Sequence, residues 1–340
     1  MNTTPAKPLR RYVLEGLRGL AYWSGLAHPG NRPGGATILM YHSIAAPGTD
    51  RFIDPAWSMA PSAFERQMQF VANCCRAVSM NDLVETLRCG RRPRPRTVVI
   101  TFDDGYVDNL SIATPILARY KLPATLYLPT RYTAHAEPQW VDRLYTAFIS
   151  RERDLLWLDQ RAVNLANPRQ RLLAYRTLSD RLRKAVYEQR QCMLAEVEHE
   201  LRSSAVIPAL TLSWDQVREL KRRYPRFEIG VHSQSHLDLS SHDEETVRTE
   251  VHGCIEDVKR ELGTLPVHFS FPYGRANGRA KQIVMEAGLH SAVCAGTRLQ
   301  IDEHSDRLCL TRLDANLSPT QFRFWSTGAY AALPERLTRV

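Results

Sequence analysis

The sequence predicts an α/β protein built on parallel strands, and three observations carry that reading. Short apolar runs of strand length alternate with amphipathic stretches of helical period along most of the 340 residues. Four of those runs end in polar or turn residues suited to chemistry: His42, Asp103–Asp104, His232 and Pro272–Tyr273. Neither a repeat of fixed period nor an apolar run near the roughly 18–20 residues of a membrane span breaks the alternation.

A basic amphipathic stretch, Pro5–Leu26, comes first. Leu9, Tyr12, Val13, Leu17, Leu20 and Trp23 recur at helical spacing beside Lys7, Arg10, Arg11 and Arg18. Such a helix either packs on the core or lies on an anionic membrane. With its linker it occupies residues 1–35. The main unit, 36–317, carries the strand runs Ala36–Tyr41, Thr97–Phe102, Ala124–Leu128, Phe227–Val231, Pro266–Phe271, Ser291–Ala295 and Leu308–Leu313. Between them, helical spacing marks Pro61–Cys75, Asn81–Cys89, Asp108–Arg119, Ser213–Arg223, Glu244–Leu262 and Arg279–Ala287, with Ser213, Asp243 and Asn277 as cap or turn residues. Trp140–Ser204 is charge-rich and helical with few strand signals, and reads as an insertion at about 140–204. Residues 318–340 read as a helical tail.

Composition narrows the class. A chain 44% hydrophobic and 24% charged is neither disordered nor low-complexity, and it is long enough to fold without disulfides or structural metal. The seven cysteines show no C-x-x-C and no repeated spacing, which fits thiols in a reducing compartment. Met1–Gly30 is basic but interrupted by Glu15 and Arg18, so it lacks the continuous apolar stretch of a secretory signal. Both features predict a cytoplasmic protein. The formal charge of +9 implies an anionic neighbour without choosing among membrane, nucleic acid and acidic glycan. The run Arg91–Arg96 enters the strand that ends at Asp103, so it belongs on the face opposite the reactive strand ends.

Parallel strands in a barrel open their C-termini onto one face, where residues distant in sequence converge. Asp103 and Asp104 are adjacent carboxylates at a strand end, one free to bind metal while the other acts as base, or else they form a helix N-cap. Gly105 permits a tight turn beneath them. His232 and His236 form H-S-Q-S-H, a spacing that arises by chance but that also supplies a metal-binding pair. One carboxylate and two imidazoles make a three-ligand set with positions left open for water and substrate, as a hydrolytic metal centre requires.

T-F-D-D-G-Y (Thr101–Tyr106), H-S-Q-S-H (His232–His236) and F-P-Y-G (Phe271–Gly274), in that order, resemble the leading motifs of the polysaccharide deacetylase family, also called NodB-homology or carbohydrate esterase family 4. The resemblance spans about Thr37 to Asn316. It implies a distorted (β/α) barrel with fewer than eight strands and metal-dependent removal of N-acetyl groups from amino sugars. Carried over by position, Asp104, His232 and His236 are the metal ligands and Asp103 is the catalytic base. The implied cofactor is one divalent cation, zinc first, with cobalt, nickel or manganese as alternatives.

Two departures from the family pattern stand out. The arginine that usually opens the third motif and orients the catalytic aspartate is replaced by Ser270, leaving Arg143 and Arg312 as candidates for the missing charge. No clear downstream L-x-H supplies the catalytic acid. His42, after Tyr41 on the first strand, offers a replacement that resembles the rearranged order of the poly-N-acetylglucosamine deacetylases, its alternative being a structural role. Tyr273, with Pro272, is the expected source of an oxyanion-binding backbone N–H. Tyr41, Tyr106, Trp140 and Tyr273 are candidates to stack on sugars, and Asp142 to contact sugar hydroxyls or position a loop.

The expected substrate is an N-acetylated glycan or a lipid-linked sugar precursor of an envelope polysaccharide. Peripheral contact with the inner face of an anionic membrane is expected too. Nucleic acid is disfavoured, because no basic helix is interleaved with aromatics. The rival readings are an amidase or deformylase on another amide and a catalytically silent glycan- or membrane-binding relative.

Overall fold

Seven parallel strands close into a ring, and it is this ring that gathers the site. The computed structural model describes residues 34–45, 51–296 and 299–328. In chain order the strands are β1 Ala36–Tyr41, β2 Arg76–Ala77, β3 Thr97–Phe102 and β4 Ala124–Leu128, then an antiparallel pair, β5 Leu155–Leu158 and β6 Arg161–Asn164. They continue as β7 Phe227–Val231, β8 His268–Ser270, β9 Ser291–Cys294 and β10 Leu310–Asp314. Parallel neighbours run β1-β10-β9-β8-β7-β4-β3, and β3 pairs back onto β1 from Thr97 against Ala36 to Phe102 against Tyr41. That last pairing closes the barrel; β2 pairs only with Thr97 and Val98 at the start of β3.

Eleven α-helices are found among the described residues. The first five are α1 Pro61–Cys74, α2 Met80–Arg88, α3 Thr114–Tyr120, α4 Thr130–His135 and α5 Trp140–Ile149. After them come α6 Pro168–Lys184, α7 Tyr187–Glu200, α8 Trp214–Arg223, α9 Glu244–Leu262, α10 Gly278–Glu286 and α11 Pro319–Ser326. Ser213, Asp243 and Asn277 each accept a backbone N–H in the first turn of the following helix, so the expected caps form. None of these helices is long and apolar enough to cross a membrane.

Period-two alternation sorts the strand side chains. Leu39, Tyr41, Val98, Ile100, Phe102 and Leu126 point outward and are buried under the helices. Ile38, Val99, Tyr127 and Val293 form a separate cluster with Met80, Leu83, Val84 and Leu87 of α2, which closes the end of the barrel away from the strand C-termini. Burial of each such side chain contributes about 1.5–3 kcal/mol. The inward series also contains Thr101, Asp103, Ser270 and Arg312 at the open end, while Thr125, Glu228 and His268 form a separate polar group against α2 at the closed end.

The insertion differs from its purely helical reading. Between α5 and α6 lies the β5–β6 hairpin, whose turn residues Asp159 and Gln160 both adopt positive φ, 53° and 61°. A tight turn of that kind ordinarily signals itself by Asn-Gly or Asp-Gly, and this one lacks the glycine. The insertion has its own apolar core, built from Trp140, Leu144, Phe148, Leu156, Leu178, Leu182, Leu194 and Leu201. Pro5–Leu26 and the tail beyond residue 328 lie outside the described residues.

Candidate active site

Four strand ends and two loops deliver the polar groups to the open end of the barrel. Asp103 is the inward residue just beyond β3. Asp104 would point away by alternation, but its φ of 72° turns the chain back, and Gly105 follows at 64°. Both carboxylates therefore enter one site. A Cβ on Gly105 would stand 2.7 Å from Leu128, so both its conformation and the space beneath the turn call for glycine there.

Arg312, inward on β10, holds Asp103 in a two-pronged grip, with Nη1 donating to Oδ1 at 2.7 Å and Nη2 to Oδ2 at 2.5 Å. Ser270 completes the knot: its hydroxyl accepts from Arg312 at 3.0 Å and donates to Asp103 at 3.3 Å. Burial would raise the Asp103 carboxyl, but Arg312, with help from His232, more than offsets it and holds the group well below the usual carboxylate range. The charge missing from the third motif thus comes from β10. Arg143 is not its source. It lies on α5 and pairs with Glu198 of α7 at 2.7 Å, bracing the insertion.

His232 and His236 present fixed lone pairs. The Nδ1 of His232 sits 2.7 Å from the carbonyl of Ser270, which can only accept, so Nδ1 carries the proton and Nε2 is bare. For His236 the argument passes through Tyr273. The tyrosine hydroxyl donates its one proton to the His236 carbonyl at 2.9 Å and therefore accepts from Nδ1 at 3.0 Å and from Trp140 Nε1 at 2.9 Å. Again Nε2 is bare. Burial pushes both imidazoles below their ordinary value, so both are neutral.

Those two nitrogens face Asp104 Oδ1, at 3.7 Å from His232 and 3.3 Å from His236. The oxygen is buried and has no hydrogen-bond partner among the described residues. Burial first, and Asp103 and Asp142 after it, push the Asp104 carboxyl well up. Three acceptors within 4.8 Å of one another repel unless a cation lies between them. The donor set of two imidazoles and one carboxylate suits a divalent metal.

A cleft of about 550 Å³ opens over this cluster, lined also by His42, Trp57, Tyr273, Arg275, Leu299 and Asp314. His42 packs 5.0 Å from the Trp57 ring, and burial pushes its imidazole down to about 4. Tyr273 adopts a φ of 59° on the turn that Pro272 opens. A separate hollow of about 560 Å³ near Arg76, Lys121 and Arg226 sits at the N-terminal ends of the strands, far from these groups.

Several expected sugar contacts are corrected. Tyr41 faces outward, stacks on Phe102 at 5.5 Å and donates to Gln67, because inward positions on β1 alternate through Met40 and His42 instead. Trp140 is buried in the insertion core, where its indole supports Tyr273. Tyr106 and Asp142 are buried against each other at 3.1 Å, so neither reaches the cleft.

The Asp142 contact has a measurable consequence. Burial pushes its carboxyl up to about 8, although Tyr106 opposes the shift. The folded chain then keeps a proton that the unfolded chain loses above about 3.9. The Asp142 contribution to stability should fall as pH rises between those values, by at most ~1.4 kcal/mol per unit. The buried histidines titrate alike in wild type and Asp142→Asn, so the difference between the two in urea unfolding should shift against the wild type from pH 5 to pH 8; a constant difference would remove the assignment.

The second tier of residues escaped sequence reasoning. Arg190 of α7 is fully buried and donates to the carbonyls of Ser235 at 2.7 Å and His236 at 3.5 Å, tying the insertion to the histidine loop. Glu250 of α9 accepts the backbone N–H of Gln234 and of Ser235, both at 2.9 Å. Gln139 donates to the Asp104 carbonyl at 2.8 Å. A signal existed for Arg190, which occupies the apolar stripe that Leu194, Val197 and Leu201 continue.

The profile of the polysaccharide deacetylase family matches residues 90–150 and 178–292. A Bacillus subtilis protein described as a candidate polysaccharide deacetylase, YxkH, is 30% identical over 105 residues, which is 31% of this chain and 35% of that protein. The chain thus matches about a third of that relative's length. Streptococcus pyogenes deacetylase PplD, solved in complex with acetate, superposes with a TM-score of 0.55 at 18% identity over 87% of this chain and 99% of that one. IcaB from Ammonifex degensii gives 0.56 at 14% identity over 88% and 98%. At those identities the two structures establish a shared fold.

Proposed function

Because the chain belongs to the polysaccharide deacetylase family, we propose that it hydrolyses N-acetyl groups on the amino sugars of a polysaccharide or its lipid-linked precursor, using a divalent cation held by Asp104, His232 and His236. The reading rests on one observation above all: two bare imidazole nitrogens and an unpartnered carboxylate oxygen converge beside a second carboxylate locked by arginine. A divalent cation supplies Lewis acidity there, toward an acetamide carbonyl and toward water, and zinc, cobalt, nickel and manganese all suit such donors.

The chain's own groups divide the remaining work. Asp103 is ionised at neutral pH and fixed in direction by Arg312, so it takes the proton of the attacking water. As a weak base it suits a water already acidified, not bulk solvent. The backbone N–H of Tyr273, set by the Pro272 turn, stabilises the oxyanion. His42 protonates the departing amine, which is too poor a leaving group to depart as an anion. At neutral pH its ring starts uncharged, so it must receive the proton before giving it, and Asp103 is the source. Acetate and a free amino sugar result.

Acetate release from N-acetylglucosamine oligomers, with the product mass checked, tests the reaction directly. Asp103→Asn should lower the rate about 10²–10⁴-fold while leaving the metal content intact. His42→Ala should cost at least about 10²-fold; a near-normal rate would pass the acid role to another group. Formate in place of acetate would make the protein a deformylase.

A further inference from the structure

The insertion carries a second concave surface, and we propose that it is a distal subsite for the polysaccharide, holding sugar units beyond the one in the cleft. The identity of the ligand rests on the deacetylase reading above; the site itself rests on its own geometry. Helix α5 presents Val141, Tyr145 and Ile149 at successive four-residue steps, hence on one face. Val141 lines the cleft, whereas Tyr145 and Ile149 line a separate groove of about 500 Å³. At 1.5 Å per residue, this face spans about 12 Å. The facing wall makes the same passage. Trp57 lines the cleft, and Asp54, at the other end of the short Pro55–Trp57 turn, lines the groove and accepts from the Tyr175 hydroxyl at 3.3 Å. On both walls, therefore, residues one turn or one short loop apart line the cleft and the groove.

The lining suits a pyranose chain, which offers apolar C–H faces ringed by hydroxyl and acetamide groups. Ile149 and Leu172 are each 48% exposed and supply apolar contact. Tyr145 and Tyr175 add aromatic surface, the Tyr175 ring being fixed edge-on to Phe148 at 5.3 Å. Arg171, which gives Nη1 to the Leu165 carbonyl, brings guanidinium donors for sugar oxygens, whereas those of Arg151 are held by Asp154, Phe148 and Leu165. With Arg151 paired to Asp154, Arg171 and Asp54 balance, and a lining without net charge suits a neutral N-acetylated unit. A lipid surface is the lesser fit, since Ile149 and Leu172 both line a hollow and do not stand out as a convex patch.

The test measures equilibrium binding of N-acetylglucosamine dimer and hexamer to the full-length Asp103→Asn chain, in which turnover is removed. The hexamer should bind about tenfold tighter than the dimer. Adding Ile149→Ala with Leu172→Ala should erase that gap while leaving dimer affinity and melting temperature unchanged. Leu265→Ala, at an exposed leucine outside the groove, should preserve it. Equal binding of the two oligomers, or a gap that survives the double substitution, overturns the proposal. So does binding to phosphatidylglycerol vesicles that depends on Ile149 and Leu172 in the absence of a glycan gap. If the gap appears but the wild type releases no acetate, the subsite stands and the deacetylase reading fails.

Discussion

Arg312→Ala is expected to remove at least about 10²-fold of the rate and ~3–5 kcal/mol of stability at neutral pH. The reason is geometric before it is electrostatic. Asp103 is buried, and Arg312 occupies both of its oxygens, so truncation strands a carboxylate inside the barrel. The pH dependence gives the loss a signature. In the wild type the carboxyl is depressed on folding, so its stabilising contribution is complete above the unfolded value of about 3.9 and fades as pH falls through the lower folded value. In the variant, burial acts with its main opponent gone and the carboxyl rises. The difference in stability between the two proteins should be widest near pH 7 and shrink towards pH 4, as urea unfolding would report. A gap that stays constant across this range would mean that Arg312 acts through packing alone. Arg312→Lys keeps the charge without the fork and should fall between the two. Because Ser270 touches both partners, Ser270→Arg combined with Arg312→Ala should return the charge to the third motif and recover at least about tenfold of the rate.

That relocated arginine also marks the limit of what the sequence discloses. Asp103, Asp104, His232 and His236 were legible because each sits at or just beyond a strand end, and parallel strands in a ring must deliver such residues to one mouth. The expected strands β1, β3, β4 and β7 match the observed ones residue for residue. Arg312 and Arg143 could not be separated, since the choice depends on which strand closes beside which. Closure of the ring lets Arg312, inward on β10, reach Ser270 and Asp103 across the barrel interior, while Arg143 turns to Glu198 in the insertion.

The errors have a common source in side-chain direction. Tyr41 precedes His42, and on a strand one step reverses the facing side, so a tyrosine beside a cleft histidine lies in the outer layer. Trp140 and Asp142 stand at the start of the insertion, yet both are buried and act through the tyrosines they contact. The second-tier supports were illegible for another reason. Arg190 and Glu250 hold backbone groups of the histidine loop, and such contacts leave no motif because any loop sequence offers the same carbonyls and N–H groups. Only a charge in an apolar stripe betrays them.

Asp104→Ala should give the other large effect, and its sign should depend on the cation. With a divalent metal supplied at about 100 times its dissociation constant, the wild type should gain ~2.7 kcal/mol of stability and the variant little, because two imidazoles remain of three ligands. Acetate release should disappear with the metal. Under chelator the order should reverse. Asp104 is then a buried carboxyl facing two bare nitrogens and a neighbouring carboxylate, with an oxygen that no donor reaches among the described residues. Deleting that group relieves repulsion which only a cation or a proton otherwise removes. Chelated Asp104→Ala should therefore melt at or above the chelated wild type, and the metal-loaded wild type above both. This crossover separates a metal ligand from a structural aspartate, whose removal would destabilise the fold with or without metal. A variant that still gains stability from the cation and still releases acetate would end the three-ligand assignment.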